Sequence, residues 1–397
     1  MPSRLLLPVL ALAVFFVGAT EFMIAPLLTP IGAAFDAAPA EAAWLISGYA
    51  LAYAFGAPLI GLAAHRLDRR RLLLAALTLL AADGLAVVFA PTLGVAIVLR
   101  IFGGAAAAAL IPAVFALIAD RLPEARHSQA MGFVMLGMTA GIASGPALAG
   151  LLAQFFDWRA PFIASAVGCI LLLFPASGAL TVEATPPSSS APPAFNGFGR
   201  KLLLLLVAKA LWNGAAVAAF GLSGEMLRHR FEVDTLQTGL STAAFGIGLA
   251  VGNLSTGLFK RVFGSDERLL IIAVFMLALS FAAFLFLPLP LSGALTCLAG
   301  WGVALGFAAP ASTALIARRA DKGKAFALAL SESANNLALL AILSLAALAF
   351  ETSSLIAAGA VLATGLAFGI GLFLLDALVQ QKAKTHDDGS CEMPSQR

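Results

Sequence analysis

The chain has 397 residues, of which 61% are hydrophobic and 11% are charged. A soluble domain has about a quarter of its residues charged, so this composition excludes a soluble globular protein. The formal net charge of +3 says nothing about nucleic acid in a chain of this composition, and no such partner is expected.

Twelve apolar runs of roughly 20 residues follow one another, each long enough to cross ~30 Å of hydrocarbon as an α-helix. The first run is too long for a signal-peptide core and lacks a cleavage motif, so we expect it to be retained. The sequence therefore predicts an all-α membrane protein with twelve transmembrane helices. The predicted spans are Leu5–Leu28, Ala42–Ala64, Leu72–Ala90, Leu93–Ala119, Ala130–Phe156, Ala160–Leu180, Leu202–Gly224, Leu236–Phe259, Leu269–Leu287, Leu291–Ala317, Ala325–Ala349 and Ser353–Leu375.

Basic residues predict the orientation of these spans. Nineteen of the 24 Lys and Arg residues fall on the side of the two termini, whereas three fall on the other side and two lie within spans. Because Lys and Arg concentrate in cytoplasmic loops, we expect both termini in the cytoplasm. The even number of spans agrees with this orientation.

A segment rich in proline and serine divides the spans into two sets of six. It reads TVEATPPSSSAPPAFNGFG and has the composition of a linker. A basic pair after span two recurs after span eight at an offset of 195 residues, and the start of span five recurs at span eleven with the same offset. Unrelated basic loops would also give weak matches, but together with the linker they favour two pseudo-symmetric bundles. We expect bundles over residues 1–180 and 200–379, a cytoplasmic linker over residues 181–199 and a cytoplasmic tail over residues 380–397.

Four motifs carry a family resemblance. FVGATEFMIAPLL lies in span one at Phe16–Leu28, and RIFGG in span four at Arg100–Gly104. GIASGPALAG occupies Gly141–Gly150 in span five, and DWRAPF at Asp157–Phe162 leads into span six. Through these motifs the chain resembles major facilitator superfamily transporters, and more narrowly the bacterial drug:proton antiporter branch near its sugar, nucleoside and arabinose efflux members.

The resemblance implies a function as well as a fold. It implies the major facilitator fold in the bacterial cytoplasmic (inner) membrane, and multidrug-type efflux of a small molecule by alternating access. Protons and membrane lipid are the other expected partners, and a monomer is the default expectation. No ATP motif is present, because GGAAAAAL lacks the Lys-Ser/Thr ending of a phosphate loop. Neither a catalytic triad nor metal-ligand spacing is found, so we expect no enzyme activity, metal or cofactor.

The loop after span two departs from the family pattern. It reads GLAAHRLDRRR, and His65 stands where the superfamily usually has Asp. We expect His65, Arg66 and Arg70 to take part in gating at this loop, although the basic residues could equally serve only to hold the loop in the cytoplasm.

GIASGPALAG places two poor helix formers inside a membrane helix. Residues four apart share a helix face, so Gly141 and Gly145 belong to one smooth stripe that allows close approach of a neighbouring helix. Pro146 removes a backbone hydrogen bond and bends the helix. With Gly150, these residues are expected to form the gate at which one bundle closes against the other; ordinary small-residue packing is the alternative.

Charged residues within spans are costly, at roughly 2.5–3.5 kcal/mol each near mid-bilayer, and need water, a partner or a neutral form. Glu21 in span one is expected to be the proton carrier, because a buried carboxyl can exchange a proton near neutral pH. Arg100 stays charged and can hold Glu21 or Asp83. A structural role is the alternative for each, most strongly for Asp83. These three residues form the predicted proton-coupling group.

Polar and aromatic residues in both halves are candidates for cargo binding. Glu332, Asn335 and Asn336 share a face of span eleven and could instead form a buried structural network. Lys209 in span seven is expected to extend its side chain to the membrane interface. Few polar groups in an apolar cavity are typical of a binding site. The full predicted cargo-binding set is Glu21, Tyr49, Tyr53, Trp212, Asn213, Trp301, Glu332, Asn335 and Asn336.

Two other functions stay open at the sequence level. One is a proton symporter that imports a metabolite, and the other is a membrane sensor that keeps the fold without transport. The departure at His65 is the feature that supports the sensor.

Overall fold

The structure is a computed structural model that describes residues 5–63, 67–179, 199–320, 324–352 and 354–390. These residues form α-helices and one short 3₁₀ helix at Ala25–Leu27, with no strand among them. The helices are α1 (Leu6–Phe22), α2 (Leu28–Ala34), α3 (Pro39–Ala42), α4 (Trp44–Ala63), α5 (Arg69–Val88), α6 (Leu93–Arg121), α7 (Glu124–Phe155), α8 (Ala160–Ala179), α9 (Arg200–Phe231), α10 (Thr235–Phe263), α11 (Asp266–Phe286), α12 (Leu291–Arg319), α13 (Lys324–Thr352) and α14 (Leu355–Ser390).

Within the described residues, twelve helical segments are long and apolar enough to cross a membrane. The first combines α1, the 3₁₀ helix and α2, and the second combines α3 with most of α4. Each of the other ten helices contains one span. The prediction of an all-α membrane protein with twelve spans is therefore confirmed, and the spans occur in the predicted order.

Local signals set the helix ends. The α10 helix begins with a capping box, in which Asp234 accepts a hydrogen bond from the Gln237 amide at 2.7 Å and the Gln237 side chain accepts one from the Asp234 amide. It ends at Gly264, whose φ of 78° is the left-handed value that glycine adopts without strain. Asp68, in the loop that departs from the family pattern, caps α5 by accepting a hydrogen bond from the Arg71 amide at 2.8 Å.

The two sets of six spans repeat the same helix packing. In the first half α1 packs on α7, α4 on α6, and α5 on α6 and α8. In the second half α9 packs on α13, α10 on α12, and α11 on α12 and α14. The contacts between halves are also paired, since α7 packs on α10 and α13 packs on α4. This repetition is the structural form of the pseudo-symmetry that the sequence predicts.

The halves share a core at one end. We call the end at which α1 begins the near end and the opposite end the far end. One buried apolar cluster is confined to the first half, at residues 6–179. The other runs through the second half and joins first-half residues at the far end, among them Leu27, Ile31 and Leu45. The far end is therefore where the two halves pack together most continuously.

Some predicted features fall outside the described residues. Most of the predicted linker lies in the gap at residues 180–198, and the last residues of the tail follow residue 390. The division into residues 1–180, 181–199, 200–379 and 380–397 thus stays a prediction.

Candidate functional site

A cavity lies between the two halves, near the middle of the molecule. The space that it outlines, including the part open to its surroundings, is about 370 Å³. The first half supplies walls from α1, α4 and α6, and the second half from α9 and α13. Its lining residues are Glu21, Phe22, Ala25, Ile46, Tyr49, Arg100, Val217, Phe220, Gly221 and Leu339. Three predicted site residues, Glu21, Tyr49 and Arg100, are brought together here.

Arg100 is fixed by partners of its own half. Its side chain is 1% exposed and forms an ion pair with Asp83 of α5. It also donates a hydrogen bond to the carbonyl of Thr20 at 3.3 Å and lies over the ring of Tyr49, 4.7 Å from its centroid. A Cβ on Gly103 would meet the Asp83 carboxylate, so the glycine makes room for the pair. The sequence left open whether Arg100 pairs with Glu21 or Asp83, and the structure shows Asp83.

Glu21 lies in the cavity without such a partner. Among the described residues, none donates a hydrogen bond to its carboxyl group. Arg100 and Glu332 are both close enough to act on it electrostatically. Arg100 is neutralised by Asp83, so Glu21 is an acid with no dedicated counter-ion in a mostly apolar pocket.

A second polar cluster lies in the other half, between α9 and α13. The Lys209 ammonium donates to Ser331 Oγ at 2.9 Å and to Glu332 Oε1 at 3.1 Å. Asn335 Nδ2 donates to Glu332 Oε2 at 3.3 Å, and Asn336 Nδ2 donates to the Glu332 carbonyl at 3.0 Å. The expected extension of Lys209 to the membrane interface is wrong: its side chain is 3% exposed because this cluster binds it inside the half.

The predicted aromatic candidates separate into two groups. Tyr49 lines the cavity, and Tyr53 is buried one turn further along α4, within electrostatic range of Glu21 and Glu332. Trp301 is fully buried in the second half among Phe245, Phe281 and Phe284.

Trp212 is likewise fully buried, with its backbone against Gly369 of α14, and Asn213 beside it is half-buried. The structure therefore places Trp212, Asn213 and Trp301 outside the cavity lining.

Three phenylalanine rings close the cavity on its far side. Phe22 of α1 lies 5.1 Å from Phe220 of α9 and 6.2 Å from Phe245 of α10, measured between ring centroids. Phe220 and Phe245 are 4.5 Å apart. We call these residues the aromatic cluster. It brings one helix of the first half against two helices of the second.

The predicted gate residues of α7 face two different neighbours. A Cβ on Gly141 or Gly145 would collide with the α1 backbone at Phe15 or Ala19, so this stripe packs within the first half. A Cβ on Gly150 would instead meet α10 of the second half, 2.7 Å from the Thr235 carbonyl oxygen and 2.9 Å from the Gly239 Cα. The Pro146 carbonyl also faces Gly239. Pro146 and Gly150 therefore lie at the contact between halves, and Gly141 and Gly145 do not.

The structure adds a far-end contact that the sequence analysis missed. Glu225 Oε1 accepts hydrogen bonds from the Thr29 amide at 3.1 Å and its hydroxyl at 2.7 Å. Arg228 lies 3.7 Å from the same carboxylate and donates to the Pro26 carbonyl at 3.2 Å. We call this set the far-end latch. The sequence analysis missed Glu225 because the predicted span ended at Gly224, one residue earlier. In the structure, α9 continues to Phe231.

The near-end loop is described only in part. His65 and Arg66 lie outside the described residues. Arg70 donates a hydrogen bond to the Ser177 carbonyl of α8 at 3.2 Å, and Arg69 pairs with Asp120 at the end of α6. These contacts stay within the first half.

No candidate metal centre emerges from the part of the chain that the structure describes, since no three His, Cys, Asp or Glu side chains group there.

Comparisons with known proteins agree with this architecture. A family model described as Major Facilitator Superfamily matches residues 10–340. An uncharacterized MFS-type transporter of Bacillus subtilis, YceJ, is 27% identical over 274 residues, which cover 68% of this chain and 70% of that protein. The chloramphenicol resistance protein of Streptomyces lividans is 27% identical over 248 residues, covering 61% of this chain and 63% of that one.

A solved structure shows the same fold. The crystal structure of a D-xylose-proton symporter aligns with a TM-score of 0.76 at 16% identity, covering 92% of this chain and 96% of that one. At this identity the likeness concerns the fold alone.

Proposed function

The chain belongs to the major facilitator superfamily, and on this premise we propose that it exports a small molecule from the cytoplasm in exchange for protons. One cavity is exposed alternately to the two sides of the membrane as the halves rock against each other. We propose the bacterial cytoplasmic membrane as the location, with the near end and both termini in the cytoplasm. The bacterial relatives and the basic residues of the near-end loops support this orientation.

The position of Glu21 carries the proposal. It is an acid at the contact between halves, and Arg100, the base that lines the same cavity, is held by Asp83. Binding and release of a proton at Glu21 therefore changes the net charge of the cavity by one unit. A neutral cavity can close without burying an unpaired charge, whereas an ionised one resists closure.

The packing between halves supports alternating access. The aromatic cluster and the far-end latch hold the far end closed, and Pro146 and Gly150 give a smooth contact without side chains that would block the approach of α10. In the proposed cycle the far end opens, Glu21 takes a proton from outside, and cargo leaves. Return to the near-end-open state releases the proton to the cytoplasm.

Transport in inside-out membrane vesicles tests the proposal. Labelled chloramphenicol is a suitable first cargo, because one relative is a chloramphenicol resistance protein. An acidic vesicle interior should drive its uptake by the native chain. Glu21→Gln should abolish the gradient-driven part, because the amide cannot exchange a proton. Glu351→Gln, which changes an exposed acid at the end of α13, should transport normally.

The outcomes separate the proposal from its rivals. Gradient-driven uptake that survives Glu21→Gln would contradict Glu21 as the proton carrier. Loss of preloaded cargo from acid-filled vesicles would indicate proton symport in the import direction. Gradient-independent behaviour across a cargo panel would favour a sensor.

A further inference from the structure

Glu332 faces the approach to the cavity rather than the lipid. It lies seven residues before Leu339, which lines the cavity, and residues seven apart share a helix face. Leu337 and Leu345, both exposed, lie on the other side of α13. The 47% of the Glu332 side chain that is exposed therefore opens onto the space between the halves. Two turns of helix, ~10 Å, separate it from the cavity wall on the near-end side.

The partner of Glu332 is a cation that the chain itself supplies. Lys209 binds one carboxylate oxygen, and Ser331 fixes the ammonium at 2.9 Å. The other oxygen receives only the 3.3 Å contact from Asn335, whose own Oδ1 has no partner. The buried side of Glu332 is thus occupied by Lys209, and its exposed side is open to a second positive group.

Glu332 also lies where the halves touch. The next residue, Ser333, donates a hydrogen bond at 2.5 Å to the carbonyl of Ala54 in α4. Tyr53, beside Ala54, lies one turn from Tyr49, which lines the cavity together with Glu21. The two acids come from opposite halves, and a molecule between them contacts both halves at once.

The charged side chains of this region include one more acid than base. The acids are Glu21, Asp83 and Glu332, and the bases are Arg100 and Lys209. With all five ionised, the region carries one net negative charge. An anion would meet two carboxylates and no free base, because Arg100 is already paired.

We propose that Glu332 is the recognition site for a monovalent organic cation and that Lys209 is its built-in competitor. Cargo binds the exposed side of Glu332 at the near end, weakens the hold of Lys209 on the carboxylate, and reaches Glu21 in the cavity. This inference rests on the proposed function, because it assigns a cargo class to the same cavity. It adds Lys209 as the residue that sets the affinity for cations.

Equilibrium binding to the purified full chain tests this assignment without a proton gradient. Tetraphenylphosphonium and ethidium are the monovalent probes, and triphenylphosphine oxide is the neutral counterpart of the first. Glu332→Gln should weaken binding of both cations by about tenfold or more. Lys209→Met removes the competitor and should strengthen it by a similar factor. Ser331→Ala, which keeps the charge but loosens Lys209, should lie between native and Lys209→Met.

The double variant and the neutral probe complete the design. Lys209→Met should have no effect on cation binding in a Glu332→Gln background, because the competition requires the carboxylate. Triphenylphosphine oxide should bind all variants equally. Native-like cation binding by Glu332→Gln, an equal shift for the neutral probe, or no cation binding by either the native chain or Lys209→Met would overturn the inference.

The binding assay tests the cation site and the transport assay tests proton exchange, so each proposal can be refuted without the other. Expected binding shifts with gradient-independent transport would leave the cation site standing and refute proton exchange at Glu21. If the Glu332 and Lys209 variants bound cations like the native chain while Glu21→Gln lost gradient-driven transport, the cation site would be refuted and proton exchange at Glu21 would stand.

Discussion

The Arg100–Asp83 pair shows how charged residues are tolerated inside membrane-spanning helices. Each side chain is 1% exposed, and the two groups neutralise each other. The Asp83 Oδ1 and the Arg100 Nε have no hydrogen-bond partner. A buried pair with unfilled sites contributes little net stability, but loss of one partner strands the other charge.

Asp83→Asn should therefore destabilise the protein strongly. We expect the free energy of unfolding to fall by about 3 kcal/mol, because Arg100 stays charged and buried. Thermal unfolding of the purified protein would measure this. Adding Arg100→Gln to Asp83→Asn should restore part of the loss.

Asp157→Asn provides the matched control, because it breaks the exposed pair with Arg159 and should change the free energy of unfolding by less than about 1 kcal/mol. Equal losses of unfolding free energy in Asp83→Asn and Asp157→Asn would show that burial of the ion pair does not determine the loss.

The sequence identified the charged residues of the site, but it did not show which of them pair with one another. Glu21, Arg100 and Lys209 stand out in the sequence because charges are rare in apolar spans. Which charges meet depends on the rotation of each helix about its axis, and the sequence pattern does not give that angle. Lys209 and Glu332 are 123 residues apart, and their 3.1 Å contact follows from the packing of α9 on α13.

At the scale of the helix, α7 has two contact faces with different partners. Gly141 and Gly145 pack on α1 in the same half, whereas Gly150 packs on α10 in the other half. The close approach at small residues was predictable from the spacing. The sequence did not show which of these contacts lies within one half and which lies between the halves, because both faces of α7 carry the same residue types.

Two glycine substitutions should separate these faces. Gly141→Ala places a methyl group against α1 and should lower the free energy of unfolding by about 1–3 kcal/mol. Gly150→Ala has a similar clash with α10, but separation of the halves relieves it, so the open population at the far end should rise by about tenfold.

Labelling of a cysteine placed at buried Ser47 with a membrane-impermeant maleimide reports that opening. Faster labelling in Gly141→Ala than in Gly150→Ala would contradict this assignment.

Helix ends were the least predictable part of the elements. The first predicted span, Leu5–Leu28, is a helix to Phe22 followed by a 3₁₀ turn at Pro26 and a second helix to Ala34. Apolar content continues through this break, so composition alone does not reveal it. The turn places Thr29 beside Glu225 and so makes the far-end latch.

At the scale of the whole molecule, the closed far end is built from contacts at several levels. The far-end latch, the contact of Gly150 with α10 and the pair Ser47–Ser344 all join the halves. The two-bundle organisation was predictable from the linker and the repeated offsets. The conformation was not, because a transporter's sequence must be compatible with more than one packing of its halves.

A disulfide across the halves should stop transport. The hydroxyl oxygens of Ser47 and Ser344 are 3.4 Å apart, so cysteines at both positions lie within bonding reach. In a background without Cys169, Cys297 and Cys391, oxidised Ser47→Cys/Ser344→Cys should retain under about a tenth of native transport, because the far end cannot open. Reductant should restore it, and either single variant should be insensitive to oxidant. Full transport by the cross-linked protein would show that α4 and α13 need not separate.

The aromatic cluster has a consequence for the cell's energy supply. Its three rings carry neither N–H nor O–H groups, so they offer no hydrogen-bond partner to water between the cavity and the far side. Under the proposed proton exchange, we expect the resting protein to conduct few protons. A bacterium could then keep many copies in its membrane between exposures to cargo without dissipating its proton-motive force.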